Sequence, residues 1–249
     1  MLTYNHATEQ SFIENRLAFY LHSPARYQKA LRNNPELPLW HFTSTAIGSC
    51  LQGLGAAWGL QEPAHIELFR VEITTVSQDL LARFSPDAIS AELNVSTLSM
   101  FGLGADAEAF QTLAATRLTY PDQGPDPDEA PGVMATELAI AAIANGEDEV
   151  ALHAATRALT AINDELAPPG LLYLQIPAMI LAILDRDENS FRLAIDAANA
   201  QWAQRAIPAR GYRAGANTLI NQFTSTMCRI AKWRRLTTPH SPYIIEITD

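Results

Sequence analysis

Turns recur along this chain at nearly constant spacing, and this regularity constrains the fold more than any other feature of the sequence. Five short segments rich in Gly, Pro, Ser, Asp or Glu each follow one apolar helical stretch and precede the next. An aromatic or apolar anchor comes shortly after each turn, at Tyr27, Phe69, Phe110, Ala151 and Phe191. The intervals between these anchors are 42, 41, 41 and 40 residues. A period of about 40 residues with two helical stretches per unit is typical of stacked helix–turn–helix hairpins.

The sequence therefore predicts an all-α fold of stacked antiparallel helix–turn–helix hairpins, similar in kind to TPR and HEAT repeats. Glycine is scarce, with 12 residues, and alanine is abundant, which favours helices over sheets. Ser23-Pro24 and Ser85-Pro86 each place a capping residue before a proline, as at the start of a helix. Two buried helical faces are predicted after the fourth and fifth turns: Val150, Ala154, Ala155, Ala158, Leu159 and Ile162, and then Phe191, Ile195, Ala198 and Trp202. The one strand-like segment is short, at Tyr243 to Ile247.

The segment from Tyr120 to Gly132 interrupts this regularity. Its sequence, YPDQGPDPDEAPG, contains four prolines and four acidic residues, which predicts an irregular exposed loop. We expect a single helical domain over residues 1–249, with this loop as the point where it would divide into halves 1–120 and 133–249. The loop is interpreted either as a solvated linker or as an acidic surface offered to a basic partner.

The fifth turn, ILDRDENSFRLAID, superficially resembles a calcium-binding loop. Asp185, Asp187 and Asn189 alternate, and Asp196 is the twelfth residue counted from Asp185. However, Ser190 stands where such a loop requires glycine, and the equivalent turns of the preceding units do not keep the ligand set. We therefore predict a structural turn, in which Asp187, like Asp148 one unit earlier, caps the following helix.

Two glycine pairs approach the fingerprint of a dinucleotide-binding loop. They are Gly53 with Gly55, and Gly102 with Gly104. That fingerprint binds pyrophosphate only between a buried strand and a helix, and no strand is predicted before either pair. The glycines are better explained as small residues that allow helices to approach closely.

No arrangement of residues indicates catalysis, a metal site or a cofactor. The six histidines are scattered without HExxH or zinc-ligand spacing, and neither a nucleophile elbow nor a P-loop is present. Cys50 and Cys228 lie in apolar helical stretches, where a cysteine usually serves as inert packing. The sequence therefore predicts a protein that is not an enzyme and has no cofactor.

Charge and hydropathy limit the kinds of partner and compartment. The net charge of −10 argues against general binding to nucleic acid, because phosphates would repel the chain. Residues 1–200 hold 10 Lys+Arg and 25 Asp+Glu, whereas residues 201–249 hold 7 and 2, so the basic tail is expected mainly to neutralise the acidic body. No signal peptide or membrane span is visible, and two cysteines make no disulfide framework, so a cytoplasmic protein without membrane contact is expected.

The C-terminal half contains three distinctive segments, AMILAILDRDENSFRLAIDAANAQW, RAIPARGYRAGANTLINQFTSTMCRIAKWRRL and TTPHSPYIIEI. Together they resemble the bacterial immunity-protein-49 family of polymorphic toxin systems. The shared features are an apolar helix ending at Leu184, a turn over 185–187, a helix opening near Phe191, and a late Ser241-Pro242-Tyr243. The resemblance covers roughly residues 135–249.

This resemblance implies an all-helical cytoplasmic protein that neutralises a cognate toxin by occlusion, without catalysis. An acidic chain would associate rapidly with a basic toxin such as a nuclease domain. The concave face of the repeat or an exposed loop would supply the contact. The first candidate contact is the loop with Asp122, Asp126, Asp128 and Glu129, and the second is the turn with Glu147, Asp148 and Glu149. The alternatives are a helical-repeat adaptor for another protein of the same cell, and an enzyme on an all-helical scaffold.

Overall fold

The prediction of an all-α fold is confirmed. A computed structural model of the chain describes residues 6–121, 131–164, 175–206 and 219–245, and within these ranges it contains helices, turns and coil but no strand. The strand-like segment at the C-terminus is described only over residues 243–245, where it forms a turn and coil. The helices are α1 (His6–Tyr20), α2 (Ser23–Asn33), α3 (Ile47–Gly59), α4 (Pro63–Arg83), α5 (Pro86–Glu92), α6 (Val95–Gly104), α7 (Ala107–Thr119), α8 (Pro131–Asn145), α9 (Asp148–Asp164), α10 (Ile176–Asp185), α11 (Glu188–Ala206) and α12 (Gln222–Trp233), and a π-helical turn (His41–Ala46) leads into α3.

Consecutive helices joined by two- or three-residue turns pack against each other. The pairs α3 with α4, α8 with α9, and α10 with α11 form such hairpins, and α8 and α9 also contact α10 of the next hairpin. Each of the five anchors that follow the sequence turns is buried, on α2, α4, α7, α9 and α11 respectively. Burial of one anchor per turn explains why an apolar residue recurs at that position, since it fixes the second helix of each hairpin to the core.

The turns that end α3, α8, α10 and α12 share one hydrogen-bond pattern. In each, a residue with left-handed backbone is followed by one whose amide binds a carbonyl five residues earlier, as in Glu147 N to Ala142 O at 2.9 Å and Asp187 N to Ala182 O at 2.9 Å. This is a Schellman motif, which satisfies the last carbonyls of a helix. Glycine occupies the left-handed position only after α8, at Gly146 (φ 76°), while Gln61, Arg186 and Arg235 occupy the other three.

Helix α12 is almost entirely buried among other helices. Every residue from Asn221 to Ala231 is buried, and α12 contacts α6, α10 and α11. It runs parallel to α6, because Gln222, Thr226 and Arg229 bind Ser96, the Ser99 carbonyl and the Gly102 carbonyl in the same order along both helices. Among the described helices, α12 is therefore part of the core, and its buried side chains are not a contact surface for a partner.

Polar side chains inside the core fix the start of α12. The Asn221 side chain accepts hydrogen bonds from the amides of Phe223 and Thr224, and its Nδ2 donates to Asn199 Oδ1 of α11 at 3.1 Å. The same Asn199 oxygen accepts from Thr224 Oγ1 at 3.0 Å, and Asn199 Nδ2 donates to Ser241 Oγ at 3.1 Å. Such a satisfied network stabilises one arrangement of α11, α12 and the segment that follows.

Three of the four glycines in the two pairs, Gly53, Gly102 and Gly104, allow close helix packing, as predicted. A Cβ added to Gly53 would lie 2.2 Å from Phe69 Cε1, and one on Gly104 would lie 2.2 Å from Ile73 Cδ1. At Gly102 the nearest atom would be Thr226 Cγ2, at 2.5 Å. Side chains would therefore push α3, α6 and α12 away from their neighbours, and no nucleotide is needed to explain these residues.

The helices on the two sides of the Pro/Asp-rich segment are in direct contact. Helix α7 packs against α8, and α12 returns from the C-terminal half to α6 in the N-terminal half. The Arg117 guanidinium of α7 lies 2.9 Å from the Glu137 carboxylate of α8, and both side chains are at most 1% exposed. Arg117 also donates to the carbonyls of Tyr120 and Pro121, at 3.2 Å each.

The predicted buried faces of α9 and α11 are only partly correct. Phe191, Ile195, Ala198 and Trp202 of α11 are all buried. On α9 the buried stripe consists of Ala151, Ala154, Ala155 and Ala158, whereas Val150 is 40% exposed. Val150 was wrongly assigned because the small alanines, rather than the bulkier valine, allow α9 to approach α8 and α10. Leu159 is half-buried, and the side chain of Ile162 lies outside the described residues.

Candidate protein-binding surface

The first candidate contact region falls outside the described residues. Asp122, Asp126, Asp128 and Glu129 belong to segment 122–130. The candidate surface is therefore built from the second region, the turn between α8 and α9.

The turn between α8 and α9 presents all three predicted acidic residues to solvent. The left-handed backbone of Gly146 reverses the chain, and Glu147, Asp148 and Glu149 follow it in exposed positions. Their charge lies at the N-terminus of α9, where the helix dipole stabilises carboxylates. The local sequence therefore determines both the turn and the sign of its charge.

Asp148 has a different role from the one predicted. It is the first residue of α9, and its carboxylate binds the Arg234 guanidinium at the end of α12 through both oxygens. The two residues are 86 positions apart, so spacing along the sequence gave no signal for this pair. The pair agrees with the expectation that the basic tail neutralises acidic residues of the same chain, and it removes Asp148 from the carboxylates available to a partner.

At the following turn, both carboxylates are also used within the chain. Asp187 caps α11, as predicted, because its side chain accepts from the amides of Asn189 and Ser190 at 3.0 Å. Hydrogen bonds from Ser190 hold the pKa of Asp187 below its usual range. Glu188 accepts from the Thr237 amide at 3.1 Å, and Thr237 likewise lowers the pKa of Glu188. The calcium-like turn is therefore a cap.

Glu147 and Glu149 differ from these carboxylates. Within the described part of the chain, neither side chain forms a hydrogen bond or an ion pair. Next to them, Val150 is 40% exposed and Leu152 is 51% exposed. Leu152 lies about one helical turn after Glu149, and Val150 about one turn after Glu147, so each exposed apolar side chain has a carboxylate one turn before it. We call these four residues the α9 patch.

The α9 patch has the composition of a protein contact. A partner that covers the exposed apolar side chains of Val150 and Leu152 removes them from water, which favours binding. The carboxylates add a preference for a basic partner. Glu147 and Glu149 were predicted from the sequence, whereas Val150 was assigned to the apolar face of its helix and Leu152 was not singled out.

The N-terminal half contains a second group of titratable side chains, in the core between α2, α3 and α4. Tyr27 donates to Asp79 Oδ2 at 2.9 Å, and burial together with Asp79 raises the pKa of Tyr27. Burial, and then the charge of Asp79, raises the pKa of Glu72, and burial raises the pKa of the Cys50 thiol. A buried thiol kept protonated is a poor nucleophile, so this Cys50 environment agrees with an inert packing role. Cys228 is buried as well.

The described ranges contain no group of three or more His, Cys, Asp or Glu side chains that is placed to hold a metal ion. None of the helices over those residues has the length and apolar character required to cross a membrane.

Comparison with known proteins gave no match to any family model, curated protein or solved structure.

Proposed function

We propose that this protein binds and neutralises a cognate bacterial toxin by occluding it, without catalysis. The single observation that carries the proposal is the α9 patch, in which two carboxylates that form no hydrogen bond or ion pair within the described residues lie near two exposed apolar side chains. The C-terminal resemblance to immunity-protein-49 sequences supplies the kind of partner. The proposed partner is a basic toxin domain, for example a nuclease, encountered in the cytoplasm.

Helix α9 suits a contact of this kind because it is firmly held from behind. Its alanine stripe packs against α8 and α10, and Ala151, Ala155 and Ala158 are fully buried. The Asp148–Arg234 ion pair also joins the beginning of α9 to the end of α12. A surface that does not have to be ordered on binding loses less conformational entropy when the partner arrives.

Electrostatic attraction should increase the association rate constant. The chain carries a net charge of −10, so a basic toxin is attracted over roughly the Debye length of ~10 Å at 0.1 M salt. Once contact forms, burial of Val150 and Leu152 slows dissociation, because apolar surface is removed from water. The acidic and apolar parts of the α9 patch therefore control different rate constants.

The biological proposal is tested by co-expression. The open reading frame next to this gene is cloned, and its C-terminal domain is induced in cells with and without this protein. We expect the domain alone to stop growth and this protein to restore growth. A neighbouring domain that is toxic in both cultures, or in neither, contradicts the immunity proposal.

The surface is tested by binding kinetics with the same domain. Glu147→Gln with Glu149→Gln should slow association several-fold at low salt and flatten its salt dependence, and Leu152→Ser should mainly accelerate dissociation. Glu108→Gln is the matched control, since Glu108 is exposed in the first turn of α7 at the position equivalent to Glu149. Unchanged rates in both α9 variants would remove the α9 patch from the interface.

The adaptor hypothesis uses the same surface with a different partner. If rescue fails, yet a basic protein of the same cell binds wild type and loses affinity for the α9 variants, the protein is an adaptor. The two functions are therefore separated by toxicity rescue rather than by binding alone.

A further inference from the structure

An open cleft of about 380 Å³ lies between the end of α12 and the turn that joins α10 to α11. Arg186, Arg234 and Arg235 line it together with Asp148 and Trp233, so we call it the arginine cleft. Three arginines against one aspartate give the cleft a formal charge of +2, on a chain whose net charge is −10. A cleft of this volume lies within the range of small-ligand sites, roughly 300–1,000 Å³.

Two of the three guanidinium groups are available to a ligand. Arg234 is held by Asp148, but in the described ranges neither the Arg186 nor the Arg235 guanidinium forms a hydrogen bond or an ion pair, and both residues are exposed. Because an arginine cannot lose its proton, these two groups stay cationic at every physiological pH.

The backbone at both available arginines is unusual. Arg186 has φ 55° and Arg235 has φ 63°, in the left-handed region that glycine occupies at the same position after α8. A side chain there is disfavoured, so local stability alone would select glycine or asparagine at both positions. Interaction with the helix dipole does not require this backbone, because a basic residue inside the last turn of α10 or α12 would make the same interaction without the conformational cost. Residues in such backbone are typically retained where they serve a site.

We propose that the arginine cleft binds the oxyanion group, phosphate or carboxylate, of a small organic ligand. Arg186 and Arg235 bind the oxyanion through charge-assisted hydrogen bonds. Arg234, oriented by Asp148, lies between Trp233 and Arg235 in sequence and adds positive potential. Trp233 and the apolar side chains of Ile183 and Leu184 supply the surface for the rest of the ligand. This site is independent of the proposed toxin binding, and neither depends on the other.

The test is calorimetric titration of the full chain with inorganic pyrophosphate and, separately, with citrate at fixed ionic strength. We expect saturable binding of at least one probe at millimolar concentrations. Binding of pyrophosphate alone assigns a phosphate ligand, and binding of citrate alone assigns a carboxylate ligand. The absence of saturable binding by both probes overturns the proposal.

Glycine variants separate binding from folding. Arg186→Gly and Arg235→Gly each remove a guanidinium while relieving the left-handed backbone, so both should fold and melt no lower than wild type. Each should weaken binding about tenfold, as expected for loss of one charge-assisted contact. Arg157→Gln, which neutralises an exposed arginine of α9 outside the cleft, is the control and should bind as wild type does. Equal affinity of wild type and the double glycine variant would also overturn the proposal.

Discussion

The buried ion pair between Arg117 and Glu137 gives the sharpest test of how the two halves of the chain are joined. Both side chains are at most 1% exposed, and their closest nitrogen and oxygen atoms are 2.9 Å apart. Glu137→Leu would leave the Arg117 charge buried beside an apolar side chain. Removing one partner of such a pair typically costs about 3–5 kcal/mol, because the remaining charge loses this ion pair but stays out of water.

This loss corresponds to a large change in melting temperature. For a chain of this size, 1 kcal/mol shifts the melting temperature by about 2–4 °C, so we expect Glu137→Leu to melt roughly 6–20 °C below wild type. The free energy of unfolding from urea titrations should fall by about 3–5 kcal/mol without a change in slope.

The double variant Arg117→Met with Glu137→Leu supplies the control. Its buried charge is gone, so it should be more stable than Glu137→Leu alone, although the hydrogen bonds from Arg117 to the carbonyls of Tyr120 and Pro121 are also lost. Hydrogen bonds from a charged donor are worth about 1.5–3 kcal/mol each, so the loss of these two limits the stability that the double variant recovers. A single variant that loses less than about 1 kcal/mol, or a double variant less stable than the single, would refute this reasoning.

The same titrations test the prediction of one domain over residues 1–249. Because α7 with α8 and α6 with α12 join residues from both halves, we expect fluorescence and circular dichroism to report one coincident transition. Two separate transitions would instead place a domain boundary at 120–132.

Three further predictions concern stability. Burial raises the pKa of Glu72, so ionisation of its carboxyl group opposes folding. The resulting loss of folding stability is absent at low pH and grows as the pH rises through the folded-state pKa, so the stability of Glu72→Gln relative to wild type should increase from about pH 4 to about pH 8. An equal stability difference at both pH values would contradict the assignment. Gly53→Ala should lower the free energy of unfolding by about 1–3 kcal/mol, because the added Cβ overlaps Phe69. Gly48→Ala in the same helix has open space around its Cβ and should raise the free energy of unfolding by up to about 1 kcal/mol. Equal effects of the two substitutions in chemical denaturation would count against close packing at Gly53. Arg186→Gly should stabilise the chain by about 1 kcal/mol in the same assay, and a loss of stability would show that the arginine contributes to the fold.

Local patterns in the sequence determined much of the helical framework. Turn residues and the apolar anchor after each turn act within about ten positions of one another, so Phe110, Phe191 and the Asp187 cap could be assigned before any packing was known. The packing role of Gly53 and Gly102 was also predictable, because a nucleotide loop requires a preceding strand and the sequence contained none there.

Part of the candidate surface could not be predicted, because it depends on contacts between helices rather than on local sequence patterns. Val150 and Ala154 share one helical face at the spacing of four residues, and apolarity alone favours burial of the valine. Which side of α9 is buried depends on how closely α8 and α10 approach, and that distance suits alanine. The exposed Val150 and Leu152 therefore follow from packing between helices rather than from the periodicity of one helix.

The amino-acid sequence by itself determined that this chain is helical, where several of its helices turn, and that the turn between α8 and α9 is acidic, because these properties depend on neighbouring residues. Only the tertiary structure decided that α12 is buried against α6, α10 and α11, that Asp148 is paired with Arg234, and that Arg186 and Arg235 line one cleft. These contacts join residues dozens of positions apart, and their formation depends on the path of the whole chain.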